Sequence, residues 1–151
     1  MMLLSWEMRY SETTQDARVF VMASLAKPTV YVVDDDAGVL GSLRFLLEAD
    51  GFAVRTFRNG PALLNASRLT GVDCFVIDYK MPDMNGIDLV SRLRSRDITA
   101  PIILITGYPD ENISARAAAA GIRHVVQKPL LEESLATHIR GVIQEVRSLT
   151  G

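Results

Sequence analysis

From residue 29 onward, short runs of β-branched and other apolar residues alternate with segments whose apolar residues recur at helical spacing. Each short run is predicted to be a strand, and each segment that follows is predicted to be a helix. The predicted strands cover residues 29–33, 52–57, 73–78, 101–106 and 123–127. Because strands that are joined by helices must run parallel, with right-handed crossovers, the alternation predicts an α/β fold with a doubly wound, five-stranded parallel sheet.

The predicted helices are recognised by apolar periodicity and by the residues at their ends. They cover residues 36–50, 59–71, 86–95 and 110–120, and a last helix begins near residue 130. Asp36 is the predicted N-cap of the first helix, and Gly51 and Gly121 are predicted to end the first and the fourth. The strand at 52–57 alternates in polarity, which is typical of a sheet edge, whereas the apolar strand at 73–78 is typical of the sheet centre.

Residues 1–28 do not continue this alternation. They are predicted to form an N-terminal extension to one domain of residues 29–151, and we expect residues 1–21 to be dispensable for folding. The extension contains the only tryptophan, Trp6, and the polar cluster SETTQD. Its first residues have no basic segment ahead of a short apolar stretch, so a signal peptide is not predicted.

Charge and cysteine content narrow the possible functions. The formal net charge of −2 gives no bulk electrostatic reason to bind nucleic acid or a membrane surface. No apolar run approaches the length of a membrane span. The single cysteine, Cys74, excludes an internal disulfide, which fits a reducing compartment and predicts a cytoplasmic protein. Cys74 lies inside an apolar run, so a buried and unreactive thiol is expected.

Polar residues stand at the predicted carboxyl ends of four strands. Asp34 and Asp35 follow the first strand, Asp78 ends the third, Thr106 ends the fourth, and Lys128 follows the fifth. Ligands bind at this edge of an open parallel sheet, so we expect these side chains to meet. Three carboxylates need a cation, and oxygen ligands without His or Cys favour Mg²⁺. An Asp can also attack phosphorus and form an aspartyl phosphate, while a metal, a Lys and a hydroxyl neutralise the transferring group.

Four segments, VVDDD, FVIDYKMPDMNG, ILITG and VVQKP, occur in the order and at the spacing of the receiver domains of response regulators in two-component signalling. From Thr29 to about Leu149 the chain resembles these domains, and GFAVRTF and MPDMNG make it especially similar to the receivers of FixJ-like and NarL-like transcription regulators. The resemblance implies a CheY-like, flavodoxin-like fold with strand order 2-1-3-4-5. It also implies a phosphoprotein that accepts its phosphoryl group from a sensor histidine kinase, rather than an enzyme with a separate substrate.

The resemblance implies a role for each residue of the acidic cluster. Asp78 would be the phosphoacceptor, and with Mg²⁺ bound it would also be a metal ligand. Asp35 would ligate the metal directly, and Asp34 would either hold the metal's water shell or act as a second ligand. The backbone carbonyl of Lys80 would complete the protein ligands. Asp36 remains the helix cap, although a solvated turn with a cap is also a sufficient reading of the three acids when they are taken alone.

Thr106 and Lys128 would contact the phosphoryl group, and the Lys128–Pro129 bond is expected to be cis, as in the family. Receivers usually place a Phe or Tyr three residues before this lysine, where the ring moves inward together with the threonine. That position is Val125 in this chain. We therefore expect a switch that works through Thr106 and the loop before the fourth helix, or a weak switch.

The loop after the third strand contains Pro82 and Gly86. Both are predicted to set its geometry, with Gly86 supplying a backbone φ that other residues resist. The side chain of Lys80 is expected to be exposed. Tyr108, two residues after Thr106, either flanks the site or lies on the loop.

The resemblance ends near residue 149, and it includes no DNA-binding helix-turn-helix such as FixJ-like regulators carry. We therefore expect a stand-alone receiver with no output domain and no direct DNA or membrane binding. Its output would pass through a downstream protein, through competition for phosphoryl groups, or through a homodimer that uses the fourth helix, the fifth strand and the fifth helix.

Two other functions compete with this interpretation. Haloacid-dehalogenase-like phosphatases use a strand-end Asp with Mg²⁺, but they place a second Asp two residues later, where this chain has Lys80. A receiver-like module that binds a partner without phosphorylation is the stronger alternative, because Val125 replaces the usual aromatic residue.

Overall fold

Strands and helices alternate strictly along residues 26–108, 110–130 and 132–150, which are the residues that the computed structural model describes. The elements are β1 Thr29–Val33, α1 Ala37–Ala49, β2 Ala53–Phe57, α2 Gly60–Leu64, β3 Cys74–Asp78, α3 Gly86–Ser95, β4 Ile102–Thr106, α4 Glu111–Ala119, β5 His124–Gln127 and α5 Glu132–Thr150. The predictions for residues 1–21 lie outside the described residues. No helix among the described residues is long and apolar enough to cross a membrane.

The five strands form one parallel sheet in the order β2-β1-β3-β4-β5. The predicted fold class and strand order are therefore confirmed. The partly exposed strand β2 lies at an edge, and the fully buried strand β3 lies at the centre, as their polarity patterns indicated. Because all strands run in one direction, the carboxyl ends of β1, β3, β4 and β5 share one edge of the sheet.

Apolar side chains cover both faces of the sheet, because successive residues of a strand point to opposite sides. On one face, Phe75 and Leu104 belong to the cluster that packs under α2, α3 and α4, which we call the α2–α4 cluster. On the other face, Val76 and Ile103 belong to the cluster under α1 and α5. Cys74 is buried as predicted, and burial together with the nearby Asp73 raises the pKa of its thiol to about 12.

Capping residues define the ends of α1 and α4. The Asp36 side chain accepts hydrogen bonds from the backbone N–H groups of Gly38 and Val39, at 2.8 and 3.2 Å. Asp36 is therefore the N-cap of α1, as predicted, and its carboxylate is used by the helix. Gly51 and Gly121 follow the C-caps of α1 and α4 with φ of 97° and 82°, a conformation in which glycine avoids a steric penalty.

Helix α2 is much shorter than predicted. The sequence pattern favoured residues 59–71, but the helix covers only Gly60–Leu64. Side chains from other parts of the fold donate hydrogen bonds to carbonyl groups at and beyond the end of this helix. Arg96 donates to the carbonyl of Leu64 at 2.7 Å, and Tyr31 donates to that of Arg68 at 2.8 Å. These contacts satisfy the backbone without a helix, and the local pattern does not reveal them.

Candidate functional site

Three carboxylates meet at the carboxyl edge of the sheet. One oxygen each of Asp34, Asp35 and Asp78 lies within 4.8 Å of the other two. The neighbouring strands β1 and β3 bring them together, because Asp34 and Asp35 directly follow β1 and Asp78 is the last residue of β3. Asp34 and Asp78 are buried, with 2% and 5% of their surface exposed, whereas Asp35 is exposed. This set of oxygen donors, with one side open to solvent, fits Mg²⁺, which retains some of its waters in proteins.

Lys128 reaches this cluster from the end of β5. Its Nζ lies 3.2 Å from Asp34 Oδ2 and 3.3 Å from Asp78 Oδ1. Asp34 Oδ1 accepts a further hydrogen bond from the backbone N–H of Asp36 at 2.9 Å. One ammonium thus faces three carboxylates, so the cluster retains negative charge that a divalent cation would balance.

Burial and charge perturb both partners of the Lys128–Asp78 pair. Burial and, next in size, the negative charge of Asp34 raise the pKa of Asp78 to about 6, because the attraction of Lys128 only partly opposes them. Burial lowers the pKa of Lys128, but the attraction of Asp78 and Asp34 outweighs it, so that the pKa is raised overall. At neutral pH, Asp78 is therefore an ionised carboxylate in an environment that disfavours its charge.

We expect the Asp78→Asn variant to have a larger free energy of unfolding than the wild-type chain in metal-free buffer above pH 6. The folded-state pKa of about 6 exceeds the ordinary value of 3.8, so ionisation of Asp78 destabilises the fold as pH rises through this window. After allowance for solvent screening, the gain is about 1 to 2 kcal/mol. Below pH 4 it disappears, because Asp78 is then neutral in both states.

Urea unfolding of both proteins between pH 4 and pH 8, in the presence of EDTA, measures this difference. Asp88→Asn is the matched control, since Asp88 is an exposed carboxylate in the first turn of α3. A gain of equal size at every pH, or a gain in the control, would contradict the electrostatic explanation.

Thr106 ends β4 at the same edge and is 4% exposed. Its hydroxyl oxygen accepts a hydrogen bond from the backbone N–H of Tyr108 at 3.3 Å, and its carbonyl accepts one from the backbone N–H of Lys128 at 2.9 Å. The Tyr108 side chain is 87% exposed. The Thr106 hydroxyl oxygen is thus hydrogen-bonded within the loop that follows β4.

Gly86 packs directly against the strand that carries Asp78. A Cβ at residue 86 would lie 2.6 Å from the carbonyl oxygen of Asp78 and 2.8 Å from Leu104 Cδ1. The φ of Gly86 lies outside the left-handed region, so the predicted reason for this glycine was wrong: close packing requires it, not its backbone angle. The left-handed residue of this loop is Asp83, with φ of 71°.

The remaining predicted site residues lie around this edge. Lys80 is exposed on the loop after β3, and Pro82 accepts a backbone hydrogen bond from Met84 at 2.8 Å in the same loop. The Lys128–Pro129 bond is cis, as expected. Val125 is half-buried on β5 and packs against the α2–α4 cluster. The roles of these residues stay predictions.

One contact near the site was missed by the sequence predictions. Arg116 Nη1 on α4 donates a hydrogen bond to the hydroxyl oxygen of Tyr79 at 3.1 Å. Tyr79 directly follows Asp78, and 37 positions separate it from Arg116. No local pattern pairs side chains that are this far apart in sequence.

Regulatory proteins from bacteria are similar to this chain. FixJ of Bradyrhizobium diazoefficiens is 34% identical over 119 residues, which cover 79% of this chain and 58% of FixJ. TodT of Pseudomonas putida is 32% identical over 115 residues, which cover 76% of this chain and 51% of TodT. The chain thus spans about half the length of the curated relatives it matches.

Solved structures show the same fold. The crystal structure of FixJ-N superposes with a TM-score of 0.70 at 32% identity, covering 79% of this chain and 95% of that structure. A response regulator receiver domain protein from Clostridium thermocellum gives a TM-score of 0.74 at 25% identity, covering 81% and 98%. A family model described as "Response regulator receiver domain" matches residues 30–140. The chain therefore belongs to the receiver domain family of the response regulators of two-component systems.

Proposed function

We propose that Asp78 accepts a phosphoryl group from a sensor histidine kinase and that the phosphorylated chain signals through contacts with other proteins. The observation that supports this most directly is the cluster of Asp34, Asp35 and Asp78, in which Asp34 and Asp78 contact the Lys128 ammonium. We further propose that Asp34, Asp35, Asp78 and the carbonyl of Lys80 hold Mg²⁺. The metal would neutralise charge on the phosphoryl oxygens.

The transfer uses Asp78 as the nucleophile. A carboxylate oxygen of Asp78 forms the new bond to phosphorus, the bond from phosphorus to the donor nitrogen breaks, and the electron pair leaves with the donor imidazole. Lys128, which lies 3.3 Å from Asp78 Oδ1, loses a carboxylate partner as the acyl phosphate forms and pairs with the new phosphoryl oxygens. The Thr106 hydroxyl uses its oxygen to accept from Tyr108, so its proton is available to donate to a phosphoryl oxygen.

Partners and location are inferred from the family. Phosphoryl transfer from a kinase requires that the chain share the kinase's compartment, and we propose the cytoplasm. A downstream protein, or a second copy bound through α4, β5 and α5, would carry the output. FixJ, a transcriptional regulatory protein, extends well beyond the matched region, so its role in transcription is not transferred to this chain.

Incubation with acetyl phosphate tests the proposal. We expect the intact mass to increase by one phosphoryl group in the presence of Mg²⁺ and to stay unchanged with EDTA, because the carboxylate cluster needs the cation before a phosphate dianion can approach. A mass gain that is independent of the metal would contradict the role of the three carboxylates.

A binding module that works without phosphorylation is the second candidate, favoured by Val125 at the position where receivers usually carry an aromatic ring. Such a module would gain no mass from acetyl phosphate or from any of a panel of autophosphorylated histidine kinases. Transfer from one kinase of the panel excludes the module and identifies a phosphate donor.

A further inference from the structure

The hydrogen bond between Arg116 and Tyr79 joins α4 to the residue that follows the proposed phosphoacceptor. Its length of 3.1 Å is within the ordinary range for a hydrogen bond that a guanidinium donates. Both side chains are accessible enough for the bond to contribute modestly to stability. Its importance comes from its place, between the carboxyl end of β3 and the middle of α4.

Tyr79 is the fixed partner of this pair. Its backbone N–H donates to the carbonyl of Ile105 on β4, and its carbonyl accepts from the N–H of Gly86, both at 2.8 Å. Its half-buried side chain packs against the α2–α4 cluster. Tyr79 is therefore held by two backbone hydrogen bonds and by the apolar contacts of its side chain.

Helix α4 is the less firmly anchored partner. It has nine residues, and its buried side chains are Ile113 and Ala117. Its N-cap, Asp110, accepts from the N–H of Ile113 at 2.7 Å and follows Thr106 by only four positions. A displacement of Thr106 toward a phosphoryl group on Asp78 would therefore reach the start of α4 through a short connection.

Position 125 offers no other large group to carry this motion. Val125 is half-buried and branched at Cβ, so its χ1 is restricted, and its side chain is much smaller than the usual aromatic ring. Among the described residues, the hydrogen bond from Arg116 to Tyr79 links α4 to the loop after β3.

We propose that the Arg116–Tyr79 hydrogen bond is a latch that holds α4 in its unphosphorylated position and opens when Asp78 is phosphorylated. The proposal rests on the proposed function, namely phosphorylation at Asp78. A bond that is made only in the resting state opposes the phosphorylated state by its own free energy. Removing the hydrogen bond therefore raises the affinity for a phosphoryl mimic. The free energy of an exposed hydrogen bond corresponds to an increase in affinity of about two- to fivefold.

Titration with beryllofluoride in the presence of Mg²⁺ measures this factor. We expect Tyr79→Phe and Arg116→Gln each to bind the mimic about two- to fivefold more tightly than the wild-type chain. The double variant is expected to bind no more tightly than either single variant, because both substitutions remove the same bond. Arg116→Gln also removes a positive charge, which by itself would weaken anion binding, so tighter binding by this variant supports the latch.

Tyr31→Phe is the matched control. Like Tyr79→Phe, it removes a tyrosine hydroxyl. The hydrogen bond that is lost here joins Tyr31 on β1 to the backbone carbonyl of Arg68 at 2.8 Å and does not involve α4. We expect it to lower stability and leave beryllofluoride affinity unchanged. Unchanged affinity in Tyr79→Phe, or gains from the two single variants that add in the double variant, would overturn the latch.

Amide hydrogen exchange of residues 111–119 in the metal-free proteins separates this proposal from the proposed function. Faster exchange in Tyr79→Phe than in Tyr31→Phe shows that the bond restrains α4 at rest, and equal exchange overturns the latch. If the wild-type chain neither binds beryllofluoride nor gains a phosphoryl group, the proposed function fails and the release step fails with it.

Discussion

The Asp78→Asn variant is expected to take up no phosphoryl group from acetyl phosphate under conditions that load the wild-type chain completely. The amide has nearly the shape of the carboxylate, so the packing at the end of β3 is retained, but it lacks the anionic oxygen that attacks phosphorus. Asp34 and Asp35 lie within 4.8 Å but would hold the metal, and Asp34 is also paired with Lys128 and with the N–H of Asp36. Intact mass spectrometry over a time course measures the loss.

Two comparisons make this result specific. Asp88→Asn, which changes an exposed carboxylate of α3, should be phosphorylated at the wild-type rate. A free energy of unfolding of Asp78→Asn at or above that of the wild-type chain, measured in the phosphorylation buffer, excludes unfolding as the cause of its inactivity. Phosphorylation of Asp78→Asn at the wild-type rate would place the acceptor at another residue and contradict the proposed mechanism.

The Gly86→Ala variant is expected to lose about 2 to 3 kcal/mol of unfolding free energy, as small-to-large changes at tightly packed positions do. The added methyl group would lie 2.6 Å from the carbonyl oxygen of Asp78 and 2.8 Å from Leu104 Cδ1. The carbonyl belongs to a central strand that is paired on both sides, so it cannot move without disturbing β1 and β4. Urea unfolding, monitored by far-ultraviolet circular dichroism, gives the free energy.

Other glycines of the chain provide the controls for this measurement. At Gly60 an added Cβ would lie 2.9 Å from the Met84 sulfur, the flexible end of a side chain that can turn away, so Gly60→Ala should cost less. At Gly141, inside α5, nothing lies within 4 Å of the added Cβ. Gly141→Ala should therefore gain up to about 1 kcal/mol from helix propensity. A Gly86→Ala protein as stable as Gly141→Ala would refute the packing argument.

The strands could be predicted from the sequence to within one residue, because each is a short apolar or alternating run bounded by polar or turn residues. The sheet edge that receives Asp34, Asp78 and Lys128 followed from the same pattern, since parallel strands bring their carboxyl ends together. The lengths of the side-chain contacts could not be predicted. That the ammonium of Lys128 lies within 3.3 Å of two carboxylates depends on rotamers and burial that no spacing reveals.

The incorrect predictions share a physical cause. The extent of α2 was wrong because Tyr31 and Arg96, distant in sequence, hydrogen-bond to the carbonyl groups at and beyond its end. The reason for Gly86 was wrong because glycine can serve either an unusual φ or a close approach, and sequence does not distinguish them. In each case the deciding contact joins residues from different parts of the fold, and no local pattern reveals it.

The position of Lys128 also affects how the sheet comes apart. Among the described residues, strand β5 is an edge strand that pairs only with β4, yet Lys128 at its end contacts carboxylates at the ends of β1 and β3. The ion pairs of Lys128 thus connect the end of the edge strand β5 to the ends of β1 and β3, across the intervening strand β4. Because Lys128 lies between β5 and α5 in the chain, a pulling force on α5 would load these ion pairs before it reaches the hydrogen bonds between β5 and β4. The resistance of the C-terminal part of the domain to a pulling force therefore depends on the charges of Asp34 and Asp78, the two carboxylates that Lys128 contacts.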